Sequence, residues 1–177
     1  MMKQIFIALL STLSLQLFQS EALANTKVST TSLNNIKLSG IDSKGQAFDL
    51  QNLQGKTILL TFYSAGCTAC ERDVKLMREF YRDNRQRNFM MVGVNLEKRK
   101  EDFDLYARIV NIATPINQQF QLIWKGSLKN FDGLGTIKTD PTHLVINRQG
   151  EVVLRREGMF KSEDWDFLWE TIDAPTQ

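Results

Sequence analysis

The run TILLTFYSAGCTAC, residues 57–70, constrains this chain more than any other stretch, because it holds the only two cysteines, Cys67 and Cys70. Residues 57–63 are apolar, β-branched or aromatic without strict alternation, the pattern of a strand buried on both faces. From Cys67 to about Arg87 the period changes: Val74, Met77, Phe80 and Tyr81 fall on one helical stripe, with Glu71 and Asp73 in the first turn. Cys67 therefore begins a helix straight after a buried strand, and Gly66 permits the tight turn between them. Free N–H groups and the positive dipole end of a helix favour a thiolate there, lowering its pKa from ~8.5 towards about 7 or below. Cys70, one turn on and expected to be more shielded, is placed to attack a mixed disulfide formed by Cys67.

Two close cysteines fit three roles: a structural staple, half of a metal site, or a redox pair. A staple gains most when it closes a long loop, and Cys67 and Cys70 close almost none. A structural zinc site needs further ligands, and the chain offers no third cysteine and one histidine, His143. Copper is the stronger rival, since soft thiolates suit Cu(I). Exported Sco-type carriers use two cysteines and a histidine, but space the cysteines by three residues rather than two. A peroxidase would need a P-x-x-x-T-x-x-C arrangement, which TFYSAGC lacks.

The 177 residues and 42% hydrophobic content suit one globular domain. A formal charge of +2 gives no reason to expect nucleic acid or an anionic membrane as partner. Arg82, Arg85 and Arg87 are interleaved with Glu79 and Asp83 and make a solvated helix face. Lys3, the apolar segment 5–18 and Ala22-Leu23-Ala24 have the layout of a secretory signal peptide cleaved after Ala24. An uncleaved anchor is the alternative, although the apolar segment is shorter than the ~20 residues of a spanning helix. Export places the cysteines in an oxidising compartment, the periplasm. Residues 25–35 make a polar leader and residues 36–177 the folded domain.

Within that domain, residues 36–38 and 48–50 alternate about a turn at Gly45 and predict a β-hairpin. FMMVGVNL is a second buried strand, and an amphipathic helix follows over about 101–110, carrying Phe103, Tyr106, Ala107 and Val110 inward. Residues 118–139 have no clean period. THLVIN and EVVLRR flank a turn at 148–150 and predict an antiparallel hairpin. Ser162 is the expected N-cap of a last helix that buries Trp165, Leu168, Trp169 and Ile172. This order calls for an α/β core of central parallel strands with an antiparallel hairpin at one edge.

Three segments, GIDSKGQAFDLQNLQGKTILLTFYSAGCTAC, FMMVGVNL and DPTHLVINRQGEVVLRREG, carry a resemblance. From about Ile36 to the C-terminus the chain resembles exported thioredoxin-fold thiol-disulfide oxidoreductases of the TlpA-like group, which includes the ResA and cytochrome c-maturation thioredoxins. The resemblance implies a thioredoxin-like α/β fold: a central mixed sheet flanked by helices, with an N-terminal β-hairpin extension. It implies that Asp140–Pro141 is a cis peptide bond packed against the cysteines, leaving the Asp140 backbone open for strand-like pairing with a substrate segment. Gly66, Thr68 and Ala69 would shape the site, and Glu97, soon after the second core strand, would be a proton relay.

The chain also departs from that group. Gly66 stands where a Trp is usual, Ser64 and Ala65 are small, and Thr61 replaces the buried Asp that thioredoxin carries six residues before its first cysteine. Thr68-Ala69 is neither the Gly-Pro of thioredoxin nor the Pro-His of the oxidant DsbA. The implied activity is disulfide exchange with exported proteins, as a reductase recharged by a membrane electron carrier of the DsbD/CcdA type, with no cofactor or metal and as a monomer. A disulfide oxidase or isomerase, and a Sco-type copper chaperone using both cysteines and His143, are the alternatives.

Overall fold

The structure, a computed structural model, describes residues 35–175. The expected signal peptide and nearly all of the leader lie outside them. Among the described residues no helix is long and apolar enough to cross a membrane.

The expected N-terminal hairpin is β1 (Lys37–Ile41) against β2 (Ala47–Asp49), antiparallel with Ile41 opposite Ala47. Its turn is held by Asp42, whose Oδ1 accepts the Lys44 and Gln46 N–H groups, and by Gly45 at φ +77°. The main sheet is built on β3 (Thr57–Tyr63), every residue of which is buried. Beside it run β4 (Phe89–Asn95) and β5 (Gln121–Trp124), parallel. On the other side lie β7 (Thr142–Ile146) and β8 (Val152–Glu157), an antiparallel hairpin, giving the order β5-β4-β3-β7-β8.

Helices α1 (Thr68–Asn84), α2 (Lys100–Ala113) and α3 (Ser162–Asp173) pack on this sheet. Period two on β3 sends Ile58, Leu60 and Phe62 into the core under the β1 hairpin. Leu59 goes to the opposite face with Met77 of α1 and Leu168 and Ile172 of α3. Tyr63 joins Cys70, Val74, Phe103 and Ala107 where α1 meets α2. Each fully buried aliphatic side chain contributes about 1.5–3 kcal/mol by leaving water. A polar residue on such a strand is tolerated only when bonded; Thr61, described below, is.

Three expectations are corrected. Residues 118–139 are not without regular structure: they hold β5 and a further strand, β6 (Asn130–Asp132), which pairs antiparallel with β1 and lays the Phe131 ring edge-on to Phe62 at 5.8 Å. Four- and three-residue strands are too short to show a period, and their partners lie far away in sequence. The cap of α3 is Lys161 rather than Ser162, because Asp164 turns back to accept the Lys161 N–H at 2.8 Å. Trp169 is 43% exposed rather than buried, its ring edge-on to Phe80 and under the Arg87 guanidinium.

Candidate active site

β3 ends at Tyr63, and Ser64, Ala65 and Gly66 carry the chain to Cys67. Gly66 has φ +74° with open space where a Cβ would stand, so its requirement is backbone conformation rather than room. Cys67 is the N-cap of α1, and its Sγ accepts the Cys70 N–H at 3.2 Å. The two sulfurs form a disulfide with the Cα atoms 5.1 Å apart. Cys67 is partly exposed at the helix tip with Thr68 exposed beside it, while Cys70 is 1% exposed. Cys67 is thus the sulfur that an incoming disulfide can reach, and Cys70 lies enclosed behind it.

The Asp140–Pro141 peptide bond is cis, as the resemblance implied. It brings the Asp140 carbonyl to 3.8 Å from Cys67 Sγ. The Asp140 side chain turns inward: Oδ1 lies 3.0 Å from Cys70 Sγ and accepts the Ser64 N–H at 3.1 Å. Which way this side chain points could not be read from the sequence. Glu97 reaches the turn instead, its Oε1 accepting the Ala65 N–H at 2.8 Å. Its backbone carbonyl is held by the Trp124 indole N–H at 2.7 Å, and Trp124 stacks on Phe103 of α2. Trp124, from the stretch without a period, thus braces the loop that carries Glu97.

A buried chain that sequence reasoning missed runs through the neighbouring strands. The Thr61 hydroxyl is 2.8 Å from His143 Nδ1, and His143 Nε2 is 3.2 Å from Asp73 Oδ2. Asp73, three residues beyond Cys70 on α1, also accepts the Phe160 N–H at 2.7 Å. All three side chains are buried. A carboxylate is therefore present in the core although Thr61 holds the strand position, and α1 supplies it. The only cue in the sequence was an acidic residue on the apolar side of α1.

The copper-carrier alternative needs His143 beside the cysteines, and this chain of bonds turns its ring towards Thr61 and Asp73. Both ring nitrogens of His143 are bonded elsewhere. Among the described residues, the donor atoms that converge within 4.8 Å are those of Cys67, Cys70 and Asp140, without His143.

Beside Cys70 a groove of about 280 Å³ opens between α1 and the end of α2, lined by Tyr63, Val74, Arg78, Tyr106, Val110 and Pro115 among others. The Tyr106 hydroxyl donates to Tyr63 at 3.3 Å. Burial, reinforced by Tyr106, raises the Tyr63 phenol well above its ordinary range, so it is protonated at any physiological pH.

A five-stranded sheet flanked by helices, with a cis-proline loop facing a Cys-x-x-Cys at a helix N-terminus, defines the class, that of the thioredoxin-fold proteins. Solved structures share the fold. A thioredoxin-family thiol:disulfide interchange protein of Chlorobium tepidum superposes with TM-score 0.61 at 18% identity, over 81% of this chain and 96% of its own. StoA of Bacillus subtilis gives 0.56 at 20%, over 76% and 96%. By sequence, the chain belongs to the AhpC/TSA family, whose model matches residues 26–155. It is 29% identical over 112 residues to the thiol-disulfide oxidoreductase ResA of Halalkalibacterium halodurans, covering 63% of this chain and 60% of that protein's length. With ResA of Geobacillus kaustophilus it shares 27% over 133 residues, 74% of this chain and 71% of the other.

Proposed function

We propose that this protein is an exported reductase that exchanges disulfides with partner proteins, using Cys67 as nucleophile and Cys70 as resolving thiol. The observation that carries the reading is the unequal burial of the pair, one sulfur offered at the helix tip and the other enclosed behind it. The dithiol attacks through Cys67, whose sulfur forms a mixed disulfide as the partner's S–S bond breaks. Cys70 then displaces the partner's sulfur, leaving the partner reduced by two electrons and the Cys67–Cys70 disulfide closed. The groove beside Cys70 offers room for the partner's polypeptide next to its cysteine.

The Asp140 carboxylate supports the reducing direction. Negative charge 3.0 Å from Cys70 disfavours a thiolate there, so the reduced pair gains no charge stabilisation from this side. DsbA is oxidising for the opposite reason, its reduced form being stabilised. A pair poised this way needs electrons delivered to it, and a membrane carrier of the DsbD/CcdA type suits an exported protein. The signal-like segment 1–24 supports export to the periplasm.

Acid quenching of cells followed by thiol alkylation tests the direction. The reductase reading expects the dithiol to accumulate while the membrane carrier is present and the disulfide when it is deleted. A pair that is disulfide-bonded in both strains would contradict it.

A further inference from the structure

Resolution of the mixed disulfide requires Cys70 to lose a proton, and its sulfur is nearly closed off from water at 1% exposure. One carboxylate touches it: Asp140 Oδ1, at 3.0 Å. The same oxygen is fixed by the Ser64 N–H at 3.1 Å, so the side chain is aimed rather than free to turn away. The other acids near the pair have different partners. Glu97 bonds the Ala65 N–H, and Asp73 bonds the Phe160 N–H and faces His143. Glu71 lines the groove, and Glu157 of β8 accepts from Thr139, next to Asp140, at 3.3 Å.

We propose that Asp140 is a catalytic residue, the base that takes the Cys70 proton during resolution; this rests on the exchange reading above. In the dithiol, the Cys70 thiol faces the Asp140 carboxylate oxygen that lies 3.0 Å from its sulfur. Once Cys67 is joined to the partner's sulfur, the Cys70 proton passes to Asp140. The Cys70 thiolate attacks Cys67 Sγ, the Cys67–Cys70 bond forms and the bond from Cys67 to the partner breaks. The partner's sulfur leaves as a thiolate and takes the proton from the Asp140 carboxylic acid. The step consumes no outside acid or base, and Asp140 returns to its starting state.

The test uses the reduced protein and excess dithiobis(nitrobenzoate), which releases one coloured thiolate when Cys67 attacks and a second when Cys70 resolves. Asp140→Asn keeps the shape and an oxygen for the Ser64 N–H but removes the base. The first phase should stay within about threefold of native, and the second should slow by about a hundredfold at pH 6.5, a usual worth for a positioned base. The slowed phase should recover as pH rises past ~8.5, the ordinary thiol range. A second phase in Asp140→Asn that is unchanged or faster would overturn the proposal. The native protein gives a check that needs no variant. A native second phase that falls about tenfold per pH unit below ~8.5, as an unassisted thiol's does, would overturn it too. Failure of the exchange reading looks different: the native protein would lose its first phase.

Discussion

The Cys70 backbone N–H points at Cys67 Sγ across 3.2 Å, so the helix itself supplies a donor to the sulfur at its tip. On the proposed mechanism that donor stabilises charge on Cys67 Sγ, and the division of labour between the two sulfurs follows from it. Cys67→Ser should abolish exchange with a model protein disulfide, a loss of at least about a thousandfold. Cys70→Ser should leave the first attack intact and trap mixed disulfides, visible on non-reducing gels. Equal activity in the two variants would contradict the division.

Asp73 and His143 should matter first for stability. Asp73→Ala leaves the Phe160 N–H and the His143 ring without their buried acceptor, at an expected cost of about 3 kcal/mol. Urea titration of the native and variant proteins measures it. A loss below about 0.5 kcal/mol, the usual size for a surface change, would show that the chain of bonds does not hold this part of the core together.

Asp164 gives the fold a pH dependence with a definite sign. Burial pushes its carboxyl up, but the Arg156 guanidinium, bonded to both oxygens at 2.7 Å, and the Lys161 N–H bring it below its usual value. A carboxyl depressed by folding stabilises fully above its unfolded pKa of about 3.9, and that stability is lost as pH falls through the lower folded value. Asp164→Asn should therefore lower stability by about 1–2 kcal/mol at pH 7, while the gap from native closes as pH falls below ~3.9. A gap of the same size at pH 7 and pH 2.5 would contradict this.

Gly126 lies under the Trp124 ring, where an added Cβ would come within 2.3 Å of Trp124 Cζ2. Gly126→Ala should displace the indole from the Glu97 carbonyl and from Phe103, costing about 1–3 kcal/mol. Chemical denaturation followed by tryptophan fluorescence should show both the destabilisation and an altered native emission. Native-like values for both would mean the ring does not brace that loop.

What the sequence disclosed was local. The strand-turn-helix around Cys67, the hairpin at Gly45 and the β7–β8 hairpin are written in neighbouring residues, and all three are present. The cis bond at Pro141 came through resemblance rather than from the residues. What stayed hidden joins residues far apart. Asp73 meets His143 across 70 positions, and Cys70 meets Asp140 across the same separation. Strand β6 becomes regular only by pairing with β1, some ninety positions earlier. Glu97 too comes through the resemblance, and its bond to Ala65 depends on how two loops meet.

The reduction potential of the Cys67–Cys70 pair, set by equilibration against dithiothreitol or glutathione buffers, tests the central reading most directly. A single two-electron transition near thioredoxin's value, about −270 mV, is the expected result. A potential near DsbA's, about −120 mV, would contradict the reductase assignment, and a pair that failed to equilibrate with either buffer would contradict disulfide exchange itself.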